Sequence, residues 1–228
     1  MCRILYARAA TPFSISELLQ PFAEMARGSR EFQGHGWGCA WRDADGDAVG
    51  DARGDTKNNG DNGWQQYHNI RPVWEDDLSQ FGNTHLLLVH ARSAFRDEGI
   101  VVENNMPFSD GKSAYIFNGE LRGVRIQSEG RIGAEKIYNY IRRFDKGDLC
   151  AATTKAVDII NKRSSYVRAM NILLSDGEQS CVSTSYSEDP EYFQMYRKQD
   201  NDMQLVCSRP LRGERDWCAI ENNTTIQL

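Results

Sequence analysis

The residues able to do chemistry are few, and the first stands at position two. The chain opens Met1-Cys2-Arg3. Cysteine is small enough there for the initiator methionine to be trimmed, leaving a thiol and a free α-amine on one carbon. Such an amine titrates at about 7.7–8.0 and the thiol at about 8.5. One residue then supplies both a nucleophile and a general base. The other cysteines, Cys39, Cys150, Cys181, Cys207 and Cys218, lie far apart with no CxxC pair. Neither a disulfide framework nor a zinc site is expected from that spacing. The stretch 43–63 places Asp43, Asp45 and Asp47 in the manner of an EF-hand loop. However, Gly46 falls at loop position four, not six, and no Glu closes position twelve. With 14 of its 21 residues Asp, Gly or Asn, it reads as a solvated hairpin loop, and no metal or other cofactor is expected.

Several elements must position Cys2. Residues 3–8 are apolar enough for a buried strand, which pins Cys2 at a strand end. Ser14 and Glu17 form a capping box. Leu18, Phe22 and Met25 recur at helical spacing. Pro21 suits the first turn of a helix ending near Gly28 better than the interior of a longer one. Gly34-His35-Gly36-Trp37-Gly38 leads into a strand at Cys39-Ala40-Trp41, and residues 64–70 return from the loop. Residues 85–92 form a strongly apolar strand ending in His90-Ala91-Arg92. Residues 114–118 form another, which Asn118-Gly119 is expected to stop as a turn. Two helical faces follow: Ile137, Tyr140, Ile141 and Phe144, then Ala152, Ala156, Val157 and Ile160. Strands are expected at 166–175, 179–186, 191–197, 203–208, 217–221 and 224–228. Runs of strands around clustered helices read as α+β with antiparallel sheets in one domain, 1–228.

The net charge of -5 gives no footprint for nucleic acid or an anionic membrane. No apolar run approaches the length of a membrane span, and no basic-then-apolar leader opens the chain. A cytoplasmic location with reduced thiols is expected.

In this order, these pieces resemble the class II glutamine amidotransferase domain of the N-terminal-nucleophile hydrolases. More narrowly, they resemble its stand-alone γ-glutamyl hydrolases, which include enzymes of ergothioneine synthesis and glutathione breakdown. The matching stretches are Met1-Cys2-Arg3, Gly36-Trp37-Gly38, His90-Ala91-Arg92, Asn105-x-Pro107-Phe108 and Phe117-Asn118-Gly119-Glu120. Ser208-x-Pro210-Leu211, followed by Trp217, completes the set. The resemblance implies a four-layer αββα sandwich, with two antiparallel sheets between helical layers. It also implies that Met1 is removed, that the Cys2 thiol attacks a side-chain amide, and that a γ-glutamyl thioester is hydrolysed. Asn118 and the Gly119 N–H would form the oxyanion hole. Arg92 would take the substrate's α-carboxylate, unless it serves a structural salt bridge. Trp37 either walls the site or fills the core. His90, like His35, His68 and His85, reads as structural.

Three departures concern substrate reading. Phe95 stands where the family commonly has Thr, and Met106 where it has His. Gly133, opening a helix with Glu135, stands where the family's Asp binds the substrate's α-ammonium; Glu129 or Asp110 is the available replacement. Arg209 also replaces a usual Glu. The nucleophile is kept while the pocket for free glutamine is altered. The first reading is therefore a Cys2-dependent amide hydrolase or amidotransferase acting on a glutamine-like or γ-glutamyl small molecule. That reading leaves room for a separate synthetase or acceptor subunit, which this chain is too short to include, and for a homo-oligomer. The second is a catalytically quiet relative serving as a binding or assembly subunit.

Overall fold

The computed structural model describes residues 1–42, 63–213 and 215–228. The loop expected over 43–63, with Asp43, Asp45 and Asp47, lies outside the described residues except for Gly63. In chain order the elements are β1 (Arg3–Ser14), α1 (Ile15–Arg27), β2 (Trp37–Arg42), β3 (Gln65–Asn69), β4 (Asn83–Ala91), β5 (Phe108–Ser109) and β6 (Ala114–Arg122). They continue with α2 (Gly133–Arg142), α3 (Leu149–Arg163), β7 (Tyr166–Ser175), β8 (Ser180–Thr184), α4 (Pro190–Phe193), β9 (Tyr196–Asp200), β10 (Met203–Cys207), β11 (Cys218–Ala219) and β12 (Thr224–Gln227).

The strands form two antiparallel sheets. One runs β11-β9-β10-β1-β4-β2-β3 and the other β12-β8-β7-β6-β5. β1 sits inside the first sheet, paired with β10 on one side and β4 on the other. Its alternation sorts the two faces. Leu5 and Ala7 pack with Ile15, Leu19 and Phe22 of α1. Ile4 and Tyr6 pack with Ile116, Leu173 and Val182 of the second sheet. The same buried cluster continues to Ile137 and Ile141 of α2 and Ala156 and Ile160 of α3. The architecture is therefore a sandwich of two sheets between helical layers. No helix among the described residues is long and apolar enough to cross a membrane.

Three local expectations are corrected. α1 starts at Ile15, capped by the Ser14 side chain on the Glu17 N–H, so Pro21 sits in its interior. Burial of Leu19, Phe22 and Met25 on both sides of the proline outweighs the lost intrahelical hydrogen bond, a cost of roughly 3 kcal/mol. Residues 190–193 form a short helix, not the start of a strand. Pro190 at its first turn, after Asp189 with φ 54°, is the sequence signal for this. Finally, Asn118-Gly119 is not a turn. β6 runs through it to Arg122, with Asn118 opposite Asn171 and Gly119 opposite Met170.

Candidate active site

Cys2 immediately precedes β1, next to Arg3, which pairs with Ala91 at the end of β4. By strand alternation its side chain shares the face of Ile4 and Tyr6, toward the second sheet. The half-buried Sγ accepts from the Ser93 N–H at 3.5 Å and lies 3.7 Å from the Ser93 carbonyl. Burial pushes the thiol pKa up. The Met1 ammonium, the Ser93 N–H and Arg92 act in the opposite sense, and Glu31 adds to the rise. The thiol is thus held protonated.

Met1 is itself held. Its ammonium pairs with Glu31, and its carbonyl accepts from Gln33 Nε2 at 2.7 Å and Tyr192 OH at 2.6 Å. Its side chain packs on Ala169, Tyr192 and Phe193. Arg3 anchors the same corner: its guanidinium bonds Ser29, Tyr192 and Ser208 and lies over the Tyr192 ring. Ser208 of the C-terminal motif locks β1 directly, its Oγ accepting from the Ile4 N–H and its own N–H reaching the Ile4 carbonyl.

On the facing sheet, Asn118 is fully buried, yet neither side-chain polar atom has a hydrogen-bond partner. Its cross-strand neighbour Asn171 is satisfied by Phe193 and Thr184. Residues opposite each other in an antiparallel pair project from the same face, so Asn118 projects toward α4, whose Phe193 packs with Met1. Met170 donates its N–H to Ser185 on the far side of β7. Gly119–Met170 is therefore a non-hydrogen-bonded pair, and the Gly119 N–H points away from β7. A Cβ at Gly119 would lie 2.2 Å from the Ala169 carbonyl oxygen, so only glycine lets the strands approach here.

Arg92 shares the inter-sheet face with His90. Its Nη2 donates to the Gly99 carbonyl at 2.9 Å, while Nη1 is buried without a partner. Both N–H groups of Nη1 are thus open to a ligand. His90 is fully buried between the sheets. Desolvation and the charge on Arg92 lower its pKa to about 3, against the Phe117 carbonyl, which acts the other way. It is neutral at physiological pH. The sequence motifs meet here as one object. Gly36, at φ 109°, leaves room for Asn105, whose amide lies 2.2 Å from where a Cβ would be. His35 and Gly36 also bond the backbone of Arg92.

Cys2, Arg92, Asn118 and Gly119 therefore lie at one end of the sandwich. Trp37 does not join them. Its ring is buried on the α1 side of the first sheet against Tyr67 and Phe81, with Nε1 on Asp76; of its two readings it takes the core role. Gly133 is the exposed first residue of α2, with open space where a Cβ would be. Asp110 is committed elsewhere. Burial raises its pKa, but Ser113, Arg142 and Tyr138 together bring it below the usual value. Glu31, Gln33, Tyr192 and Ser93 were not foreseen. They reach Cys2 and Met1 from distant segments, and no spacing in the sequence marks them.

No family model matches the chain, and no curated protein matches its sequence. Solved structures do match its fold. A glutamine aminotransferase class-II domain protein from Silicibacter pomeroyi is 15% identical with a TM-score of 0.64, the match covering 99% of this chain and 94% of that one. A predicted glutamine amidotransferase from Pseudomonas aeruginosa is 16% identical with a TM-score of 0.57, over 99% and 96%. The glutamine phosphoribosylpyrophosphate amidotransferase of B. subtilis matches at 13% identity and a TM-score of 0.59; 91% of this chain covers 42% of that enzyme. The fold is that of class II glutamine amidotransferase domains.

Proposed function

From this fold, we propose that the protein is a cysteine-dependent amide hydrolase of the glutamine amidotransferase type, acting on a γ-glutamyl or related small amide. Once Met1 is removed, the α-amine of Cys2 takes the thiol proton. The thiolate forms a C–S bond to the amide carbon, and the oxygen becomes an oxyanion facing Asn118 Nδ2 and the Gly119 N–H. The C–N bond breaks as the α-ammonium returns the proton to the departing amine. Water, deprotonated by the same amine, attacks the thioester; the acid is released and the thiol is restored. Arg92 Nη1 takes the substrate's α-carboxylate.

The observation that carries this reading is Asn118. A fully buried amide with no partner is costly in a folded protein unless something else uses it. An oxyanion donor must be left open in the resting state. Intact mass spectrometry of active protein, before and after reaction with an electrophilic glutamine analogue, tests the proposal. Protein lacking Met1 should gain one adduct, on Cys2. Full turnover with Met1 retained would sink the mechanism. No adduct and no turnover in processed protein would point to the quiet binding subunit.

A further inference from the structure

The place Met1 occupies is a site of defined chemistry that the proposed reaction leaves unused. Its ammonium rests on Glu31, its carbonyl on Gln33 and Tyr192, and its side chain on Ala169, Tyr192 and Phe193. Around it, Arg168 lies 3.7 Å from Glu31, 3.5 Å from Glu120, 4.0 Å from Glu188 and 3.6 Å from Asp189. Arg30 pairs with Asp189 and Arg122 with Glu120. These four carboxylates face the guanidiniums of Arg30, Arg122 and Arg168, with Arg3 in the same corner, and the Met1 ammonium is the cation resting directly on Glu31. Removing Met1 takes that ammonium away from Glu31, and a neutral Cys2 amine, the form in which it acts as a base, does not replace its charge. Gln33 marks the same place: it is fully buried and its Oε1 has no partner.

Position relative to Cys2 decides which end of a substrate fits. Arg92 and Ser93 lie on the Sγ side, where the acyl group must bind. Met1 extends from the nitrogen. The bond that held it becomes an N–H or lone-pair direction of the base, and the departing amine must lie within hydrogen-bond reach of that base. We propose, resting on the function above, that the vacated Met1 place is the leaving-group subsite, and that it selects amines with an apolar body and a cationic end. Such a group covers Ala169, Tyr192 and Phe193, puts a cation back on Glu31 and offers donors to Gln33. Ammonia fills none of it, and an amino-acid leaving group brings a carboxylate against Glu31.

The test uses processed protein and three substrates: γ-glutamyl-1,4-diaminobutane, γ-glutamyl-n-butylamine and γ-glutamylglycine. The cation-ended amide should exceed the carboxylate-ended one in kcat/KM by about tenfold or more, the size of one charged hydrogen bond. Glu31→Gln should collapse that ratio, and Glu31→Lys should turn it toward γ-glutamylglycine. Equal turnover of all three amides, or a ratio unchanged in Glu31→Gln, overturns the subsite. So does a uniform loss on all three with a displaced pH profile, which would assign Glu31 to the Cys2 amine instead. Calorimetric binding of the same amides to processed Cys2→Ala reads the subsite without turnover. Preference there with no turnover in the wild type sinks the enzyme and keeps the subsite; turnover without preference does the reverse.

Discussion

Two asparagines stand side by side across β6 and β7 and differ in one respect. The Asn171 side chain is bonded at both ends, to Phe193 at 2.8 Å and Thr184 at 2.7 Å; the Asn118 side chain is bonded to nothing. Their substitutions should therefore separate cleanly. Asn118→Ala is expected to lower kcat on the order of 10²–10³-fold while leaving urea stability nearly unchanged, because no partner is orphaned. Asn171→Ala should cost about 1–3 kcal/mol of stability, because it strands a buried carbonyl and a hydroxyl. Stability loss in the first variant, or none in the second, would reverse this assignment. Cys2 stood out by its position and chemistry, but only the motifs that follow it gave that position weight. Asn118 was legible only through its resemblance, since locally Asn-Gly reads as a turn. Glu31 and Gln33 were not legible at all, because their meaning depends on where Met1 lies.

At the scale of elements, β6 shows why the turn reading failed. Its pairing with β7 continues past Gly119, and the shift in register comes only after Glu120. The cross-strand ladder, which a single strand's sequence does not display, overrides local turn propensity. Gly119→Ala tests this directly. With 2.2 Å to a backbone oxygen, the added methyl must part β6 from β7, at a cost of roughly 1–3 kcal/mol. Thermal denaturation should show that loss together with lost turnover. Gly133 presents the opposite case. Nothing lies within 4 Å of its missing side chain, so Gly133→Asp should fold normally and gain about 0.3–1 kcal/mol from the α2 dipole. Wild type should favour a glutamine-type amide over its glutaramate counterpart by less than about 100-fold, within the reach of one charged hydrogen bond, and Gly133→Asp should raise that preference. A larger wild-type preference would show that another acid already reads the α-ammonium.

For the molecule as a whole, the sheets close over His90. Its folded pKa of about 3 lies below the ordinary value of about 6.5, so the unfolded chain binds a proton that the folded one refuses. The stabilisation is complete above pH 6.5 and is lost as pH falls from there toward 3. Between pH 7.5 and 4.5 that amounts to about 2–3 kcal/mol. Urea titrations at the two pH values should show this loss in wild type and a much smaller one in His90→Gln. Antiparallel sheets around clustered helices were legible from the runs of strands and the two helical faces; the four-layer plan was legible only through the resemblance. Which face each residue takes was not: Trp37 went to the α1 side, and only the strand register decides that.

The enclosure of β1 also fixes an order of events during synthesis. β1 pairs with β10, and Ser208 locks Ile4, so its place is complete only after more than 200 residues have been made. Until then the amino end is an exposed tail that an aminopeptidase can reach. Afterwards Met1 is held through its ammonium, its carbonyl and its side chain. On the proposed mechanism, trimming must therefore outrun folding, and a chain that folds first would keep its cap and stay silent. Protein refolded from denaturant with Met1 intact should resist added aminopeptidase, whereas the same protein treated while unfolded should refold active.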